Sequence, residues 1–181
     1  MQRFWLLTYS LLLCASLAAS AQTTAADRTL AEAERWIGVR ELRPNRGPQI
    51  DAWNREAGAP LGSSYCASFG THDLNVAQAE YPRTRSALAR AYKREGILAK
   101  DVLIGKIIPQ PGWLVGWQRG STIHGHLAVV RRWDRVSGAT VEGNTSSGVA
   151  GSQHDGDGVF ARDRAIEPAN YFRITWFNEV R

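Results

Sequence analysis

The stretch GHLAVVRRWDRVSGATVEGN, residues 125–144, reads as two short strands joined by a turn. Residues 125–133 and 140–144 are rich in Val, Leu and Thr, and Val136-Ser137-Gly138 supplies hairpin-turn chemistry between them. Side chains alternate faces along a strand, so His126, Ala128 and Val130 share one face. By the same rule Thr140, Glu142 and Asn144 share a face of the second strand. The hairpin therefore brings Glu142 or Asn144 beside His126, where either can accept an imidazole N–H.

Outward from this hairpin the pattern divides in two. After Pro111, further strands are expected at 112–117, 158–162 and 171–176, separated by Gly, Ser, Asn and Asp clusters. Before it, the periodicity is helical. Residues 29–39 carry Leu30, Ala33, Trp36 and Ile37 on one face, with Asp27 as cap. A second helix opens near Pro48, places Ile50, Trp53 and Ala57 together, and stops at Gly58-Ala59-Pro60. A third, capped by Ser63 or Ser64, runs to about Ala79 and holds Cys66 in its opening turn. A fourth is expected over 84–95, with Leu88, Ala91 and Tyr92 inward. Helices first and strands afterward imply an α+β fold, with N-terminal helices packed on one face of a curled antiparallel sheet.

The chain opens with MQR and a mostly apolar run from Phe4 to Ala19, then Ala19-Ser20-Ala21 in a small-x-small pattern. This reads as an export signal over 1–21 cleaved after Ala21, with a retained membrane anchor as the competing reading. Cleavage removes Cys14 and leaves Cys66 as the one cysteine of a single domain, 22–181. It also removes Arg3, lowering the net charge from +5 to +4. A basic exported domain favours anionic polymers, and among these bacterial cell wall suits an exported protein better than nucleic acid. The expected location is periplasmic or extracellular, with no stable membrane insertion after cleavage, and the expected state is a monomer.

Unpaired cysteines are uncommon in exported domains, so Cys66 calls for a chemical reason. At a helix N-terminus, free backbone N–H groups and the helix dipole stabilise a thiolate. The competing reading is a small buried hydrophobe. His126 is the candidate base, and Glu142 or Asn144 the group that orients it. The H-x-H pair His124 and His126 also permits a zinc hydrolase reading, with Cys66 or an acid as a further ligand. No upstream His–Asp spacing accompanies it, so metal ranks lower and no cofactor is expected. His72 and His154 suit ordinary surface roles. Asp155-Gly156-Asp157-Gly158 has a calcium-loop flavour but lacks the full ligand series, and a plain turn is the better reading. Most tryptophans are assigned to core packing.

The order YCASF (65–69), GHLAVV (125–130) and VEGN (141–144) resembles the CHAP amidase/peptidase domains of bacterial and phage cell-wall hydrolases. VRE, NRGPQIDAW, PGWLVGW and GDGVFARDR resemble that family's flanking segments, so the likeness spans roughly residues 34–172. The resemblance implies a papain-like fold and a CHAP-like catalytic domain acting on peptidoglycan. It assigns Cys66 as nucleophile, His126 as base, Glu142 as orienting acid and Asn144 as final polar partner. Tyr65 stands where the family commonly has Trp, and Trp113 where that strand usually has Asp. A non-catalytic peptidoglycan-binding protein on an inactivated hydrolase fold is the remaining alternative.

Overall fold

The computed structural model describes residues 23–147 and 156–181, so the expected export signal, His154 and Asp155 lie outside the described residues. The fold is α+β, with a six-stranded antiparallel sheet. Three helices come first: α1 Ala25–Arg35, α2 Pro48–Glu56 and α3 Cys66–Val76. A 3-10 helix follows at Ala89–Glu95, then strand β1 Ile97–Leu98 and helix α4 Ala99–Leu103. The remaining strands are β2 Leu114–Arg119, β3 Gly125–Trp133, β4 Ser137–Thr145, β5 Gly158–Ala165 and β6 Phe172–Asn178. Their order across the sheet is β1-β6-β2-β3-β4-β5.

Several boundaries differ from the periodic reading for local reasons. Helix α1 starts four residues early because Thr24, not Asp27, is the N-cap. Asp27 returns the bond to the Thr24 backbone, closing a capping box. The helix expected over 84–95 forms only its last part. The Glu95 carboxylate accepts the N–H groups of Arg83 and Thr84, and Thr71 Oγ1 accepts that of Ser86. With their donors satisfied by side chains, these residues have no need of helical bonds. Leu88 is exposed rather than inward, while Tyr92 is fully buried. The β3–β4 turn is Asp134–Val136 rather than 136–138, because the Asp134 carboxylate accepts the N–H groups of Val136 and Ser137. Strand β1 and helix α4 are too short to register as periodic patterns.

The two faces of the sheet carry separate cores. Leu127 and Val129 on β3, Val141 on β4 and Trp176 on β6 pack with the α1–α3 residues Ala33, Trp53, Phe69 and Leu74. Val115, Trp117, Ala128, Val130 and Phe177 pack on the other face with Val102 and Ile166. Gly112 joins the layers: its φ is +83°, and a Cβ there would lie 1.9 Å from the Ala26 carbonyl oxygen. No described helix is long and apolar enough to cross a membrane.

Candidate active site

Helix α3 is held at its start by α2. The Trp53 ring stacks on Tyr65, centroids 6.0 Å apart, and meets Phe69 edge-on at 5.0 Å. The buried Asn54 amide donates to the Ser63 carbonyl at 3.0 Å and accepts from Ser68 Oγ at 2.8 Å. These contacts fix both sides of Cys66. The N-cap is Tyr65, which makes no side-chain capping bond, so neither Ser63 nor Ser64 serves as the expected cap. The N–H of Ala67 is left to face the Cys66 sulfur.

The sheet meets this helix end closely. A Cβ on Gly143 would lie 2.9 Å from Phe69 Cβ, so the glycine of VEGN is what lets α3 approach β4. Paired residues in the β3–β4 ladder run from Val129↔Val141 to Trp133↔Gly138. Beyond its open end, the N–H of Leu127 turns to the Cys66 sulfur. Cys66 itself is 6% exposed.

His126 lies next to Leu127 and faces the sulfur. Its Nε2 is 3.0 Å from a Glu142 oxygen, which leaves Nδ1 as the nitrogen available to Cys66. Glu142 is fully buried yet saturated with donors. Thr140 Oγ1 donates at 2.6 Å, and Arg164 grips both carboxylate oxygens, Nε at 2.7 Å and Nη2 at 2.6 Å. Trp117 closes one side of the imidazole edge-on, centroids 5.2 Å apart, and the Arg164 guanidinium lies 5.8 Å from the Trp117 ring centroid.

Burial alone would push the Cys66 thiol up. The His126 charge and hydrogen bond, with the Leu127 and Ala67 N–H groups, outweigh it and leave the thiol below its ordinary value. Burial would lower the His126 imidazole, but the sulfur and the Glu142 carboxylate raise it to about 9. Burial would also raise Glu142; Arg164 and His126 instead hold it well below the usual carboxylate range. All three shifts favour one charge pattern: thiolate, imidazolium, carboxylate. With Glu142 as acceptor, neutral His126 carries its proton on Nε2, and Nδ1 is free to take a proton from sulfur. The arrangement is that of a nucleophile, a base and a group that orients the base.

No protein-family model, curated protein or solved structure matches the chain.

Of the four candidate residues, Cys66, His126 and Glu142 converge. Asn144 does not reach the imidazole. The β4–β5 register shifts between Glu142 and Thr145, and Asn144 takes a left-handed φ of 55°, which breaks the alternation expected to carry it to His126. Its Oδ1 is buried without a hydrogen-bond partner among the described residues. His124 is exposed, and no three His, Cys, Asp or Glu side chains among the described residues are arranged to hold a metal ion. His72 has a more specific place than the surface role expected of it. It sits between Glu56 at 2.8 Å and Glu32 at 3.3 Å. Asp157 accepts from Ser147 and Arg40, which lie far from it in the chain, and no turn is formed at Gly156 or Asp157.

Arg164 was missed from the sequence. Alternation along β5 places it on one face with Phe160 and Arg162, but the register against β4 sets Arg164 opposite Gly138 and Phe160 opposite Glu142, and the long arginine side chain reaches Glu142 diagonally across the strand pair. No local pattern in the chain encodes that register.

Proposed function

We propose that this chain is a papain-like cysteine hydrolase of CHAP type that cleaves an amide bond in peptidoglycan. The observation that carries the reading is the connected set Cys66–His126–Glu142, with the sulfur on the first residue of α3. The substrate class rests on the family resemblance and on the export-type segment at residues 1–21.

In this mechanism the Cys66 thiolate attacks the carbonyl carbon of the scissile amide. The oxyanion is met by N–H groups at the start of α3, including that of Cys66 itself. His126, protonated at Nδ1, gives that proton to the departing nitrogen as the C–N bond breaks. A thioester remains and the amine leaves. Neutral His126 then takes a proton from water, whose oxygen attacks the thioester. The products are a carboxylic acid and the regenerated thiol–imidazole pair. Glu142 holds the ring through Nε2 during both proton transfers and favours the imidazolium in the first.

The test is digestion of purified peptidoglycan. The protein is expected to release free amines, and the Cys66→Ala variant to release none above blank. Masses of the soluble fragments identify the cut bond, either sugar-to-stem-peptide or within the peptide. Equal release by both proteins, or binding to the wall without release, overturns the reading.

A further inference from the structure

We propose that Arg164 is a positioning residue for this site: its guanidinium fork holds the Glu142 carboxylate ionised and aimed at His126. The proposal rests on the reading of Cys66, His126 and Glu142 as a reactive set, and it adds a fourth member that touches neither sulfur nor imidazole.

The geometry is specific. Glu142 has no exposed surface, and four donors surround its two oxygens: His126 Nε2, Thr140 Oγ1, and Arg164 Nε and Nη2. Arg164 therefore supplies two of the four. A buried carboxylate without a cation partner gives up its charge by taking a proton. A protonated Glu142 would present one fewer acceptor and no negative charge to the imidazolium. The bidentate fork also fixes the plane of the carboxylate. One oxygen receives Thr140 and Arg164 Nε, and the other receives His126 and Arg164 Nη2. Rotation of the carboxylate would break the His126 bond and both arginine bonds together. Lysine offers a charge but not a planar fork, so it is not an equivalent substitute.

Trp117 adds a second constraint. It touches the His126 ring edge-on and lies beneath the Arg164 guanidinium, so aromatic packing and the ion pair brace the same imidazole. The charged groups around this unit are few among the described residues. Cys66 and His126 stand on one side of Glu142. Asp163, Glu167 and Arg173 line a cavity of about 280 Å³ that Arg164 and Trp117 border. Asp163 is largely exposed and paired with Arg132, so it is no substitute anchor for Arg164.

The experiment reads the thiol directly and needs no substrate. The full chain is alkylated with iodoacetamide over a range of pH, the Cys66 adduct is followed by peptide mass spectrometry apart from that of Cys14, and the midpoint of its rate's acid limb reports formation of the Cys66 thiolate. In Arg164→Met the carboxylate loses its charge, the imidazolium its support and the thiolate its partner. The acid limb is expected to move upward by about one pH unit, which is about a tenfold loss of alkylation rate below the midpoint. Arg164→Lys is expected to move it less. In a Glu142→Gln background, where there is no carboxylate to hold, Arg164→Met is expected to add no further shift. A variant that keeps the wild-type profile overturns the proposal. So does an equal shift in the Glu142→Gln background, or a downward shift, which would mark Arg164 as only a competing positive charge. Should Arg164→Met fail to fold, Arg164→Lys and the double variant, which leaves no unpaired buried carboxylate, carry the test. Loss of peptidoglycan cleavage by the wild-type chain would remove the hydrolase reading and leave the alkylation result standing.

Discussion

Replacing Glu142 by Gln changes one atom and disturbs four hydrogen bonds. The carboxylate accepts from His126, Thr140 and twice from Arg164, with no surface exposed to water. A carboxamide keeps one acceptor oxygen and turns the other position into a donor. Whichever way it is placed, its NH₂ faces an Arg164 N–H, together with either the Thr140 hydroxyl or His126 Nε2. Arg164 then stands largely buried without its counter-ion. Removing one partner of a buried pair costs about 3–5 kcal/mol. The Arg164 side chain remains 29% exposed, which places this site near the low end, about 3 kcal/mol. For a chain of this size that lowers Tm by about 6–12 °C. The chemical effect is separable from the loss of stability. A charge-assisted hydrogen bond contributes about 1.5–3 kcal/mol. Losing it destabilises the imidazolium, so thiolate formation moves up by about one to two pH units. Thermal unfolding followed by circular dichroism reads the first effect, and iodoacetamide alkylation across pH reads the second. A folded Glu142→Gln protein with wild-type Tm and an unshifted acid limb would refute the reasoning, because Glu142 would then be neither a structural nor an electrostatic partner of His126.

Two further outcomes follow from the packing. Gly143→Ala places a methyl group within 2.9 Å of Phe69 Cβ, so α3 must withdraw from β4. A cost of about 1–3 kcal/mol and a slower alkylation of Cys66 are expected; an unchanged Tm and rate would show that α3 is not seated on that glycine. Asp73 is fully buried, neither carboxylate oxygen has a hydrogen-bond partner among the described residues, and burial followed by the charges of Glu32 and Glu56 raises its carboxyl well above the ordinary value. Its folded form holds a proton that the unfolded chain releases above about pH 4, so this group's contribution falls as pH rises. Asp73→Asn is expected to gain stability over wild type between pH 5.5 and 8, measured by urea unfolding at both values. A wild-type-to-variant difference that is the same at both pH values would contradict this.

Most of what is local was legible in the chain. The 125–133 strand, the opening of the second helix at Pro48 and the placement of Cys66 at a helix start follow from side-chain periodicity, glycine and proline positions. Where the local reading failed, a bond from a side chain to the backbone had intervened. Glu95 took up the N–H groups of Arg83 and Thr84 at the start of the expected helix, and Asp134 drew the hairpin turn toward itself. Such bonds are invisible to periodicity because they depend on which polar side chain reaches which N–H.

The division is sharpest at the site. Alternation along 125–144 was enough to place an acidic or amide side chain near His126, because period two and a short turn leave little freedom. It did not choose between Glu142 and Asn144. That choice was made by the register shift after Glu142 and the left-handed turn at Asn144, set where β4 meets β5. Arg164 lies still further from sequence logic, since only the pairing of two strands separated by the 146–157 stretch brings a guanidinium to that carboxylate. Short-range stereochemistry is written in neighbouring residues. Long-range charge pairing exists only once the sheet has closed around it.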